Sequence, residues 1–191
     1  MGKTDNNRYI YLVFSKTGTW LSRALRMFVK TKYVHASISL DSSLKSMYSF
    51  GRLHADNPFS GGFVEENFNF GVFKKNRNCE CIVYRIGVTQ QQYDTLLNEL
   101  INFLELRESY RYNFFGLFTA GMGVLLKREK YYFCSQFVSE LLIKSGIISI
   151  NRPPELIRPT DLLGIETKEK VFEGFVWKYR ASENELALYG N

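Results

Sequence analysis

The stretch Val34-His-Ala-Ser-Ile-Ser-Leu40, followed by Met47-Tyr-Ser-Phe50, decides the expected fold. Both segments are short and rich in the apolar and β-branched residues that favour strands. The polar residues 41–46 between them predict a turn. We therefore expect a β-hairpin whose first strand carries His35, one of two histidines in the chain.

Local patterns predict further elements on both sides of this hairpin. Three more apolar runs predict strands, over Tyr9–Phe14, Cys79–Ile86 and Val171–Trp177. Helices are predicted over Trp20–Lys30, over the residues that follow Thr89, and over Cys134–Ser145. The spacing of Thr89 and Gln92 is that of a capping box, and Gly146 ends the last helix.

The segment of about residues 51–78 contains several glycines and little periodicity, so it predicts a loop-rich insertion. No internal repeat or linker divides the chain. We therefore expect one α+β domain over residues 1–191, with an antiparallel sheet.

Composition narrows the class of protein. The 191 residues are 45% apolar and 16% aromatic, which argues against intrinsic disorder. Three cysteines do not make a disulfide framework and fit a reducing compartment. No apolar run approaches the roughly 20 residues of a membrane span, and the N-terminus lacks the apolar core of a signal peptide. A cytoplasmic location is therefore expected.

The net charge of 25 − 19 = +6 is a weak indication of partners. No run of five or six basic residues is present, so most of the charge is expected on ordinary solvated surface. We expect no nucleic-acid partner from this pattern, while peripheral contact with an anionic membrane stays open. The oligomeric state is not indicated.

Cys134 differs from the other cysteines because it stands at the expected start of a helix. The free N–H groups and the dipole at that end stabilise a thiolate and could bind a developing oxyanion. A buried cysteine packed among aromatic residues is the alternative. Cys79 and Cys81 would share one face of a strand and are expected to pack there. No second cysteine pair accompanies them, so we expect no metal and no cofactor.

The order of these features resembles the circularly permuted branch of the NlpC-type, papain-like superfamily. Its relatives are the YiiX-like proteins and, more distantly, the lecithin retinol acyltransferase group. In that branch the histidine strand comes first and the cysteine helix comes late. The matching segments here are Val34–Asp41, Met47–Gly51, Tyr112–Gly116, Phe133–Val138 and Arg158–Leu162.

The resemblance implies a permuted papain-like fold and a role for each matching residue. Cys134 would be the nucleophile and His35 the general base. Tyr112 would line the site on the side of the oxyanion, and Ser135 would contribute to substrate binding. Ser49 falls at the place of the third residue, which orients the imidazole.

Ser49 is also where the chain departs from the family, which often has a stronger orienting group at this place. A serine hydroxyl cannot offset the charge of an imidazolium as a carboxylate does. Three interpretations follow: a weaker Cys–His dyad, an orienting group from elsewhere such as Asp41 or Asp56, or a site that no longer catalyses.

The leading hypothesis is thus a thiol hydrolase or acyltransferase that acts on an amide, ester or thioester through an acyl-enzyme. Its substrate would be a small molecule, a peptide or a lipid-like acyl compound. A non-catalytic binding module on the same fold is the alternative. A basic protein that binds anionic lipid or nucleic acid is a further alternative.

Overall fold

A six-stranded antiparallel sheet forms the centre of the protein in the computed structural model, which describes residues 8–16, 32–53, 60–76 and 78–179. In spatial order the strands run β4-β3-β2-β1-β5-β8. Their bounds are β1 Arg8–Lys16, β2 His35–Ser39, β3 Met47–Arg52, β4 Gly61–Glu66, β5 Glu80–Val88 and β8 Glu169–Phe175. A separate parallel pair consists of β6 Arg111–Tyr112 and β7 Tyr131–Tyr132.

The helices are α1 Gly71–Lys75, α2 Gln90–Glu105, α3 Phe114–Gly121, α4 Cys134–Lys144 and α5 Pro159–Leu163. Two short 3-10 helices cover Arg107–Ser109 and Pro154–Leu156. The mixed α+β class expected from the sequence is therefore present. Among the described ranges, no helix is long and apolar enough to cross a bilayer.

β1 lies inside the sheet, between β2 and β5. Its alternation explains this position, because Ile10, Leu12 and Phe14 are fully buried on one face while Val13 is buried on the other. A strand with two buried faces needs cover on both sides. The sheet is accordingly packed on both faces.

The larger core joins one face of the sheet to α2 and α4. α2 begins with the predicted capping box, in which Thr89 accepts from the Gln92 N–H and Gln92 accepts from the Thr89 N–H. α4 ends before Gly146, whose φ of +66° suits glycine best. Phe137 of α4 packs in this core.

The smaller core covers the opposite face and contains Cys79 and Cys81, both fully buried beside Val83. The predicted packing of these two cysteines on one strand face is confirmed. Burial raises the pKa of the Cys79 thiol to about 11 and that of Cys81 to about 12. Both thiols therefore stay protonated at neutral pH.

The segment 51–78, predicted as a loop-rich insertion, contains β4 and α1 among its described residues. β4 pairs with β3 over six residue pairs, from Met47 opposite Glu66 to Arg52 opposite Gly61. Two glycines and two glutamates give β4 poor strand propensity, so its formation depends on pairing with β3. The helix predicted over Trp20–Lys30 lies outside the described residues.

Candidate active site

Cys134 is the first residue of α4. The chain enters the helix directly from β7 through Phe133, whose backbone is extended and whose side chain provides no cap. The first hydrogen bond of the helix joins the Phe137 N–H to the Phe133 carbonyl. The N–H groups of residues 134–136 therefore precede the helical hydrogen-bond pattern and point towards the N-terminal end.

His35 is the first residue of β2, and α4 packs against this strand. The Cys134 thiol is among the groups that raise the pKa of His35, so the two side chains are neighbours. The sulfur also lies 4.0 Å from the Val34 carbonyl oxygen, at the start of the same strand. The structure thus brings together the two residues that the sequence analysis paired, although they are far apart along the chain.

The second ring nitrogen of His35 contacts a carboxylate that the sequence analysis missed. Nε2 lies 2.9 Å from Oε1 and 3.0 Å from Oε2 of Glu66. The Ser37 hydroxyl donates to the same carboxylate at 2.6 Å. His35 and Ser37 are two residues apart on β2 and so point to one face, which allows both to reach Glu66. Nδ1 is then the nitrogen available to Cys134.

The assignment of Ser49 as the orienting residue needs correction. Its hydroxyl is fully buried and donates to the Ala36 carbonyl oxygen at 2.7 Å, so it links β3 to β2 instead of holding the imidazole. The two carboxylates considered as substitutes do not fill the place either. Asp41 accepts from the backbone and hydroxyl of Ser43 in a turn, and Asp56 lies outside the described residues.

Gly51 explains how Glu66 reaches His35 across the intervening strand β3. A Cβ at Gly51 would lie 3.5 Å from Glu66 Oε1 and 3.6 Å from His35 Cε1. A methyl group would just fit, but any longer side chain would occupy the space through which the carboxylate approaches the ring. The small residue on the middle strand thus leaves a passage between its two neighbours.

The charges of His35 and Glu66 stabilise each other. Burial lowers the pKa of His35, but the negative charge of Glu66 and hydrogen bonds to Cys134 and Glu66 outweigh this and hold it well above 6.5. Burial raises the pKa of Glu66, but the charge of His35 and hydrogen bonds from His35 and Ser37 bring it below its ordinary value. At neutral pH an imidazolium facing a carboxylate is therefore favoured.

Tyr112 is a further neighbour of Cys134. It is 7% exposed, and Cys134 is among the groups that shift its pKa. Burial, followed by the negative charge and hydrogen bond of Cys134, raises the pKa of Tyr112 well above 10. The hydroxyl therefore stays protonated and can donate a hydrogen bond.

The local sequence around Tyr112 has a structural explanation. Asn113 caps α3, with its side-chain oxygen accepting from the Gly116 N–H at 2.9 Å. A Cβ at Gly116 would collide with the Asn113 amide, so only glycine fits. Opposite Tyr112, a Cβ at Gly61 would lie 2.6 Å from the Tyr112 Cβ. Tyr112 thus lies between the N-terminus of α3 and Gly61 of β4, where the absence of a side chain leaves room for it.

The expected substrate contact through Ser135 also needs correction. Ser135 is fully buried, and its hydroxyl donates to the Ile157 carbonyl oxygen at 2.8 Å. Ile157 lies directly before the Arg158–Leu162 segment, which contains most of α5. The side chain of Ser135 therefore fastens α4 to this segment, and only its backbone N–H remains at the helix end.

A cavity of about 190 Å³ lies beside Glu66, between β4 and α1. Its lining includes Arg52, Glu66 and Phe70. No group of three or more His, Cys, Asp or Glu side chains that could hold a metal ion occurs among the described residues. The groups gathered around Cys134 are thus the imidazole of His35, the carboxylate of Glu66 behind it and the hydroxyl of Tyr112.

No known family model matches the chain, and no curated protein matches it.

Proposed function

We propose that the protein is a cysteine hydrolase or acyltransferase with a permuted papain-like fold. In this proposal Cys134 is the nucleophile, His35 the general base and Glu66 the residue that orients the imidazole. The observation that carries the proposal is the approach of the Cys134 sulfur to Val34, directly before His35, together with the contact of His35 with Glu66. A nucleophile, a base and a group that orients the base are the recurring parts of such sites.

In the reactive state the thiol proton would already reside on His35, and the Cys134 thiolate would attack the carbonyl carbon of an amide, ester or thioester. The electron pair of the carbonyl moves to its oxygen, which becomes an oxyanion. The Cys134 N–H at the start of α4 and the Tyr112 hydroxyl are the donors placed to stabilise it.

The tetrahedral intermediate would collapse as His35 returns the proton to the leaving nitrogen, oxygen or sulfur, and a thioester to Cys134 remains. Water or another acceptor then attacks this thioester while His35 takes its proton, and Cys134 leaves as the thiolate, which restores the pair with the protonated His35. Glu66 would keep the ring in place through both halves and offset the charge of the imidazolium.

Trapping the acyl-enzyme tests the proposal. The purified chain is mixed with p-nitrophenyl esters of increasing acyl length, and the adduct is located by peptide mass spectrometry. A burst of p-nitrophenolate with an acyl group on Cys134 is expected, and Cys134→Ala should show neither. Cys79 and Cys81 serve as internal controls because both are buried with raised pKa values. Equal turnover by wild type and Cys134→Ala would contradict the proposal.

A non-catalytic binding module is the second candidate, favoured by the burial of Cys134, which is only 1% exposed. A substrate carbonyl would have to reach a sulfur that is nearly covered. A thiol that resists small alkylating reagents at neutral pH, together with a ligand retained through purification, would favour this candidate. The sequence argument for a binding module was the lack of a strong group to orient His35, and the contact of Glu66 with His35 removes that argument.

A further inference from the structure

The segment between β6 and β7 exposes an unusual number of large apolar side chains. Five of them are between 49% and 71% exposed: Phe115, Phe118, Met122, Val124 and Leu125. Single exposed apolar residues are ordinary, but a contiguous group of this kind marks a surface that contacts something else.

Helical periodicity places three of the five on one stripe. Phe115, Phe118 and Met122 follow the i, i+3, i+7 spacing along α3 and its C-terminal end. The residues between them, Leu117 and Ala120, are buried against the protein. α3 therefore carries apolar side chains on its buried face and on its exposed face. The exposed ones do not pack in the core, so the fold does not require them to be apolar.

Val124 and Leu125 extend the stripe past the end of α3. α3 ends at Gly121, Gly123 follows with a φ of +75°, and the Val124 N–H donates back to the Thr119 carbonyl oxygen at 2.8 Å. This backbone hydrogen bond fixes the direction of the chain at Val124. The five side chains are thus within one short, locally ordered segment, which we call the apolar tip.

Cations follow the apolar tip directly. Residues 127–130 read Lys-Arg-Glu-Lys, three positive charges against one negative. Lys127 and Lys130 are exposed and form no ion pair within the part of the chain that the structure describes. Arg128 lies over the ring of Tyr131, 3.6 Å from its centroid.

We propose that the apolar tip and residues 127–130 dock on the surface of an anionic lipid bilayer. Protruding apolar side chains can enter the acyl region without a matching groove, whereas a folded protein partner would need one. Lysines next to such a segment lie at the level of the lipid phosphates, where each is attracted by anionic headgroups. Both features occur together here, and the charge complements the proposed partner.

This surface is coupled to the site around Cys134 by the chain itself. Tyr112 directly precedes the segment, and Cys134 comes soon after it. Docking would thus bring the thiol near the bilayer surface, but the proposal requires no catalysis. A Cys134→Ala variant should bind vesicles as wild type does, which separates this proposal from the proposed function.

Vesicle co-sedimentation of the full chain tests the proposal. We expect at least tenfold tighter binding to phosphatidylcholine vesicles that contain phosphatidylserine than to phosphatidylcholine alone, and weaker binding as salt is raised. The triple variant Phe115→Ser/Met122→Ser/Leu125→Ser should lose binding at least tenfold. A matched control, Leu106→Ser/Val171→Ser/Trp177→Ser, changes equally exposed apolar residues elsewhere and should bind as wild type.

Three further variants separate insertion of the apolar tip into the bilayer from adsorption by charge. Lys127→Gln/Lys130→Gln should lose the preference for anionic vesicles, whereas Lys45→Gln/Lys74→Gln should keep it. Phe115→Trp should give a fluorophore that brominated lipids quench when vesicles are added.

The proposal is overturned if wild type binds neither kind of vesicle, or if the triple variant binds as wild type does. Binding to an oligonucleotide that depends on Lys127 and Lys130, with no binding to vesicles, would point instead to a nucleic-acid surface.

Discussion

Replacing Glu66 by glutamine tests the orienting role of this carboxylate without changing its shape. The variant keeps an oxygen that can accept from His35 but removes the negative charge. The two Nε2 to carboxylate distances, 2.9 and 3.0 Å, are those of a charge-assisted hydrogen bond. Both side chains are less than one-fifth exposed, so water screens the interaction little.

A hydrogen bond to a charged group contributes about 1.5–3 kcal/mol. Glu66 stabilises the imidazolium, and the reactive state of the site pairs this imidazolium with the Cys134 thiolate. When Glu66→Gln removes the stabilisation of the imidazolium, the imidazolium–thiolate state loses the same free energy. Since 1.4 kcal/mol is a factor of ten, Glu66→Gln should react about 10- to 100-fold more slowly at Cys134.

The assay is the second-order rate of Cys134 alkylation by iodoacetamide at neutral pH, followed by peptide mass spectrometry. It needs no knowledge of the substrate. Ser49→Ala is the matched control, because Ser49 donates to the Ala36 carbonyl oxygen and should change the rate less than about threefold. A wild-type rate in Glu66→Gln combined with a slow rate in Ser49→Ala would refute the reasoning and restore the original assignment.

Three further predictions follow from the same contacts. Ser37→Ala removes the 2.6 Å hydrogen bond to Glu66, worth about 1 kcal/mol, and should slow Cys134 alkylation about fivefold; an unchanged rate would contradict a positioning role. Gly61→Ala places a Cβ 2.6 Å from that of Tyr112 and should lower the free energy of unfolding by about 1–3 kcal/mol in urea titrations, so a stability equal to wild type would count against this packing. Because the pKa of His35 is raised in the folded state, its protonation stabilises the fold fully below pH 6.5, and this stabilisation is lost as pH rises through the raised pKa. Because the pKa of Glu66 is lowered, its ionisation stabilises the fold above pH 4.5, and this stabilisation is lost as pH falls through the lowered pKa. The stability difference between wild type and His35→Gln/Glu66→Gln should therefore be greatest between pH 4.5 and 6.5, and a difference that grows above that window would show that the pair is not an ion pair.

Local sequence patterns predicted those elements of the fold whose conformation depends on interactions between residues close together in the chain. The alternation in β1, the capping box at Thr89 and the glycine after α4 each act over a few residues, so each could be seen in the sequence. β4 could not be predicted in this way. Its Gly61-Gly62 start and Glu65-Glu66 end are poor strand formers, and the strand exists because β3 provides a partner.

The candidate site was predictable to the same extent. Cys134 and His35 stand at recognisable positions, the start of a helix and the start of a strand. Glu66 was missed because its role depends on the unpredicted β4 and on the bare backbone of Gly51 between it and His35. The sequence contained one indication: the glycine pair Gly61-Gly62 is followed by the acidic pair Glu65-Glu66, and the two pairs together have the length of a short strand.

The parallel pair of β6 and β7 has a consequence for how this protein can vary. The Arg111 N–H donates to the Lys130 carbonyl oxygen and the Asn113 N–H to the Tyr132 carbonyl oxygen, so the excursion through α3 closes on itself. Tyr112 and Cys134 keep their spacing whatever the excursion contains. Insertions, deletions and substitutions between β6 and β7 can thus accumulate without moving Tyr112 relative to Cys134. Homologues could therefore differ widely in this segment and still catalyse the same reaction.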